Sequence, residues 1–139
     1  MATFNKFEQF AEDLGSGVHN FLAAGHTLKV YLSNATPSAS LDAVKADLAE
    51  ITNQNGYTAP VDIQNDLSET GGTTTVTAVD VVVTATGVVG PFQYAVIYND
   101  TPTSPADPLV GWYDYGSAVT LANGETFTVN FGASLMTIV

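Results

Sequence analysis

The sequence predicts a mainly β protein: an antiparallel β-sandwich or jelly-roll-like domain with an N-terminal amphipathic helix and one further short helix. Three observations predict it. About seven or eight short runs rich in β-branched and aromatic residues are separated by turn residues at close intervals. The stretch Gly90–Phe131, which holds the only Trp, alternates in steps of two and is broken by Pro, Asn and Gly. Helical spacing of apolar residues is confined to the first 24 residues and to the segment Leu41–Ile51.

The N-terminal run places Phe4, Phe7, Phe10, Ala11, Leu14, Val18, Phe21 and Leu22 three and four residues apart. That spacing predicts a helix from about Thr3 to about Leu14, with Gly15 and Gly17 interrupting it. Three Phe on so short a helix need a cover. The helix either docks on a partner as an arm through Phe4, Phe7, Phe10 and Leu14, or closes one end of its own domain. The expected division is an arm at 1–24 and a sandwich at 25–139. Thr27–Leu32 reads as a strand that ends in the turn Ser33–Pro37. Ser40 is a good N-cap for a short helix whose Leu41, Val44, Leu48 and Ile51 share one face. Asn53–Ala59 is a loop turning at Asn55-Gly56, and Tyr57–Ile63 is a short strand limited by Pro60. Asp66–Gly72 is polar and turns at Gly71-Gly72. Thr73–Thr86, built of Val, Thr and Ala, is expected to be one strand.

In Phe92–Asn99, Phe92, Tyr94, Val96 and Tyr98 fall on one side and Gln93, Ala95, Ile97 and Asn99 on the other. Neither side is clearly polar, which predicts a strand covered on both faces. Leu109–Tyr115 returns as a second strand. Ser117–Leu121 and Glu125–Phe131 flank Asn123-Gly124, a strong short-range hairpin signal. Leu135–Val139 is a last apolar strand, expected to be buried in the sheet or against a neighbouring subunit.

Composition narrows the function classes. The chain has 139 residues, enough for one domain with a sizeable core, and no Cys, so neither disulfides nor thiolate metal sites enter. Its net charge is −11, the only cations are Lys6, Lys29 and Lys45, and ten acidic residues but no Lys or Arg follow Lys45. Nucleic-acid backbones and anionic membranes are recognised by clustered cations, so neither is an expected partner. The start, MATFNKFEQF, lacks the basic-then-apolar pattern of a classical leader, and no apolar run is long enough to span a bilayer. The charged fraction of 12% is about half the usual share, which suits a protein that works within an assembly or outside the cell.

Catalytic signals are weak throughout. Phosphate loops and the GxSxG elbow are absent from the sequence. His19 and His26 have no partner at a ligand spacing and read as polar residues at element boundaries. Asp100, Asp107 and Asp114 lie near one loop. They offer a carboxylate pair or a calcium site, but Asp and Pro here serve equally as loop formers. Trp112, Tyr113, Tyr115, Tyr94 and Tyr98 read as a sugar-stacking platform or, more simply, as sheet core. No catalytic, cofactor-binding or metal-ligating residue is expected, and the exposed-loop contacts expected are Asp100, Thr101 and Asp107.

The segments FNKFEQFAEDLGSGVHNF, HTLKVYLSNATP, VKADLAEI, GPFQYAVIYNDT and LVGWYDYGSAVTLANGETFTVNF resemble small structural proteins of tailed bacteriophages. The resemblance covers nearly the whole chain and rests on a virion-protein pattern. It implies a non-enzymatic β-sandwich component of the particle: a capsid decoration (cement) protein, a head-fibre base, or a tail or fibre subunit. The first implies the major capsid protein or other virion proteins as partner, assembly in the bacterial cytoplasm, and a symmetric oligomer, with a trimer expected. The last implies possible contact with a host glycan. A cell-wall hydrolase carried by the virion is the enzymatic alternative.

Overall fold

A computed structural model describes residues 2–139. It is mainly β, with strands β1 (Phe4–Lys6), β2 (Leu28–Ser33), β3 (Val61–Asp62), β4 (Asp66–Thr70), β5 (Thr73–Thr77), β6 (Val81–Thr84), β7 (Val89–Asn99), β8 (Leu109–Leu121), β9 (Thr126–Val129) and β10 (Met136–Ile138). One helix, α1, spans Glu8–Gly15. The main sheet has the order β1-β8-β7-β2-β3, and two smaller sheets have the orders β10-β5-β4 and β6-β9. All pairings between these strands are antiparallel.

Strand β7 is the spine. Its register against β2 and β8 places Tyr31, Tyr94, Val96, Tyr98 and Trp112 on one face of the main sheet, and Leu28, Val30, Leu32, Ala95, Ile97 and Tyr113 on the other. Both faces are covered, as the lack of a polar side in Phe92–Asn99 predicts. Over the first face, the Tyr31 hydroxyl donates to Leu48 O at 2.9 Å, and Lys45 Nζ lies 4.8 Å from the Tyr31 ring centre. Over the second, Phe131 meets Tyr113 edge-on at 6.0 Å. There Val83 and Val129 share with Val30 and Leu32 the lining of a small cavity of about 90 Å³. Each large apolar side chain buried this way contributes roughly 1.5–3 kcal/mol.

The N-terminal segment differs from the helix expected over Thr3–Leu14. Phe4–Lys6 is an edge strand on β8, with Phe4 opposite Tyr113 and Lys6 opposite Gly111, and Phe7 in extended conformation precedes the helix. The three-residue step from Phe4 to Phe7 thus serves two different packings. Phe4 meets Tyr113 at 5.6 Å, and Phe7 meets Trp112 at 4.6 Å. With Phe7, Phe10 and Phe21 all in the main core, these parts of the chain before residue 25 pack into the β-domain instead of projecting from it. The close approach of β1 depends on Gly111, where a Cβ would run into the Phe4 ring and the Asn5 carbonyl. Gly111→Val is therefore expected to lift β1 off β8 at a cost of about 1–3 kcal/mol. Thermal unfolding tests this, and an unchanged midpoint would contradict the packing.

The second expected helix, over Leu41–Ile51, is only a single 3₁₀ turn at Lys45–Asp47. Asp47 accepts Val44 N–H at 3.1 Å, the amide that would open a helical ladder after Ser40, and also Ala43 N–H at 2.9 Å. The backbone is also committed elsewhere, since Leu109 N–H donates to Ala43 O and Lys45 N–H to Asp107 O, each at 2.9 Å.

Thr73–Thr86 is two strands, not one. At Val79 the backbone N–H turns to Ile63 O, and Asp80 Oδ1 accepts Phe131 N–H at 2.9 Å, so the chain passes from the three-stranded sheet to the two-stranded one. Within the polar segment Asp66–Gly72, Asp66–Thr70 is a strand that pairs with β5 across the expected Gly71-Gly72 turn, where both glycines have positive φ. Asn123-Gly124 does reverse the chain, with Glu125 N–H donating to Ala122 O at 3.0 Å. It does not make a hairpin. Leu121 pairs with Val89 of β7, whereas Thr126–Val129 pairs with β6, so the turn is an arch between layers. The last strand joins its sheet through β5, but Val139 itself is fully exposed.

Candidate interaction surface

A large apolar concavity runs along the N-terminal edge. Phe4 and Lys6 of β1, Phe10, Ala11 and Leu14 of α1, and Met136–Val139 at the end of β10 line an open groove of about 560 Å³. β1 is the terminal strand of the main sheet and β10 the terminal strand of the three-stranded sheet, so each has backbone groups on one side outside any ladder. Helix α1 forms the wall through three apolar residues: Phe10 is buried inward, Leu14 stays half-buried at the rim, and Ala11 is exposed. Of the four residues expected to bind a partner, the structure brings Phe4, Phe10 and Leu14 together here. Phe7 lies elsewhere, fully buried beneath Trp112. The single charge on the β1 side of the groove is Lys6.

The loop after β7 is tied down. Asp100 Oδ2 pairs with Lys29 Nζ at 2.8 Å, and Asp100 Oδ1 accepts from the Tyr98 hydroxyl at 3.1 Å. Thr101 Oγ1 accepts Thr27 N–H at 2.9 Å, and Thr101 N–H donates to Asn99 Oδ1 at 3.2 Å. Asp107 holds the loop through its backbone, with φ 50 and its carbonyl accepting Lys45 N–H. The Asp100 and Thr101 side chains are bonded within the chain, whereas Asp107 contributes backbone bonds. Among the described residues, no three of His, Asp and Glu are grouped so that they could hold a metal ion. The aromatic group is likewise occupied: Tyr113 and Tyr94 are buried, and Trp112 is half-buried against Phe7.

A second polar site joins elements that the sequence keeps apart. Asn99 is fully buried at the end of β7, and its Nδ2 lies 3.0 Å from Nδ1 of both His19 and His26. His19 is stacked on Phe21 at 5.3 Å and tilted against Phe10 at 5.1 Å. Burial pushes its imidazole down to about 4 from the ordinary 6.5, the Asp13 carboxylate partly offsets this, and His26 adds to it. Asn65 sits alongside: its Oδ1 accepts Leu28 N–H at 2.8 Å, and its Nδ2 donates to Phe21 O at 2.9 Å and His26 O at 3.1 Å. Sequence reasoning passed over both Asn residues. The available signal was Asn99 on the side of β7 that carries Ala95 and Ile97, facing Leu28.

Comparison with protein-family models, with curated proteins and with solved structures finds no match for this chain.

Proposed function

We propose that this chain is a non-enzymatic structural protein of a tailed-bacteriophage virion, most specifically a decoration subunit that binds the outer surface of the head and stabilises it. The observation that carries this reading is the apolar groove between β1, α1 and β10 on a chain of net charge −11. Half-exposed Phe4, Leu14, Met136 and Ile138 offer anchors of the kind that dominate protein interfaces, and the terminal strands offer backbone groups for an added strand. An acidic surface steers such a subunit to basic patches on a shell. In this reading the jelly-roll-like sandwich forms in the bacterial cytoplasm, three copies gather at a local three-fold axis, and the major capsid protein supplies the surface they cover.

The groove makes the proposal testable on particles. Heads from a phage lacking this gene are incubated with purified chain, and bound protein is measured against concentration. Leu14→Asp combined with Ile138→Asp places carboxylates at the half-buried rim, and is expected to weaken binding by about 30-fold or more, the equivalent of one strong anchor. Unchanged affinity in the folded double variant would remove the groove from the interface.

A further inference from the structure

The geometry around Asn99 fixes the protonation of both histidines. An amide nitrogen only donates, so the Nδ1 atoms of His19 and His26 both accept, and each ring carries its proton on Nε2. The opposite amide orientation would turn Nδ2 toward Thr101 N–H, donor against donor, so the 3.2 Å contact from Thr101 N–H to Oδ1 selects the orientation. Asn20 N–H also approaches His26 Nδ1, at 3.2 Å. Through these bonds the segment 18–26 is held to the end of β7. It is also tied by Asn65, by the Asp66 carboxylate, whose Oδ1 accepts Ala23 N–H at 3.2 Å, by Val18 N–H on Asp13 O at 2.9 Å, and by the buried Phe21 ring.

We propose that Asn99, His19 and His26 form an acid-released clamp: a second proton on His19 turns its Nδ1 into a donor facing a donor, and the segment 18–26 lets go while the sheet stays folded. The charged groups around the clamp come from several elements. Asp13 faces His19 from α1, while Asp62 of β3 and Asp66 of β4 line the same pocket as His26. Asp100, next to Asn99, is neutralised by Lys29 of β2. The Asp13 carboxylate favours an imidazolium at His19, but burial outweighs it, and Nε2 of that ring is itself buried without a hydrogen-bond partner. In the open segment His19 regains the ordinary value of 6.5, and in the closed one it stays near 4, so the open form binds more protons between these limits. The opening equilibrium therefore rises by about tenfold per pH unit as pH falls through that window, is flat above it, and saturates below. Because Phe10 of α1 packs on His19 and Phe21 and lines the groove, release would also strip the groove's inner wall of its backing. That consequence rests on the docking reading, whereas the clamp does not.

Nuclear magnetic resonance on the full chain alone tests the clamp without any partner. At pH 7, ring nitrogen shifts are expected to report Nε2–H tautomers for His19 and His26. From pH 6 to 4.5, the amide protection factors of Asn20 and Thr101 are expected to fall about tenfold per pH unit, while those of Ala95 and Ile97 hold. His19→Phe keeps the stacking and cannot titrate, so its protection at Asn20 should stay flat across the same range. The proposal is overturned by an Nδ1–H tautomer at His19, by protection that does not change as His19 charges, or by the same loss in His19→Phe. If that variant fails to fold, the tautomer and the wild-type protection profile decide.

Discussion

Deleting residues 2–22 is expected to unfold the β-domain. The segment supplies strand β1, and it supplies Phe7, Phe10 and Phe21, each at most 3% exposed. Truncating one buried Phe costs about 3–5 kcal/mol, so losing three approaches or exceeds the 5–15 kcal/mol that holds a typical domain together. The deletion also strips β8 of its edge partner and Val110 O of the Phe7 N–H that bonds it at 3.2 Å. Circular dichroism and thermal unfolding of the truncated chain should show neither native sheet signal nor a cooperative transition. A cooperative melt near that of the full chain would mean that the segment is an independent arm after all. For the same reason, the groove is better probed by point substitutions at its rim than by removing the segment.

Asn65→Leu is expected to destabilise the fold by about 2–5 kcal/mol, because a single side chain satisfies three buried backbone groups. Leu28 N–H, Phe21 O and His26 O all lose their partner, and the side chain that meets them is only 4% exposed. Asn65→Asp is the informative control. It keeps an acceptor for Leu28 N–H but sets a carboxylate against two carbonyl oxygens, so a large loss is expected at pH 7, easing as the carboxyl protonates in acid. Chemical denaturation of both variants measures this, and a Leu variant within about 0.5 kcal/mol of the parent would contradict the network.

What could be read from the sequence followed its periodicity. β7 was legible because Phe92–Asn99 is apolar on both sides, and β2 and β10 because short apolar runs end in turns. The N-terminal segment was misread because Phe4, Phe7 and Phe10 satisfy helical spacing while Phe4 actually pairs in a strand. Local pattern carries no information about the free edge of β8 that recruits it. Leu41–Ile51 failed for a related reason: its Asp side chains bond nearby amides and its backbone is bound to Asp107 and Leu109, so tertiary contacts override helix propensity. Asn123-Gly124 marked a reversal correctly but not which strands the reversal joins. Of the candidate site, the apolar character of Phe4, Phe10 and Leu14 was legible, but their union with Met136 and Ile138 required the pairing of β10 on β5. The Asn99 clamp joins residues about 80 positions apart and had no local signal beyond a polar residue at the end of a mostly apolar strand.

The most direct test of the virion proposal is an electron cryomicroscopy map of the purified particle at side-chain resolution, with the chain's copy number measured by mass spectrometry of the same preparation. The proposal predicts density for this fold on the outer face of the head, present in many symmetric copies, with the Phe4–Leu14 and Met136–Ile138 groove against the capsid protein. A particle that lacks the chain, or carries it with that groove open to solvent, would contradict it.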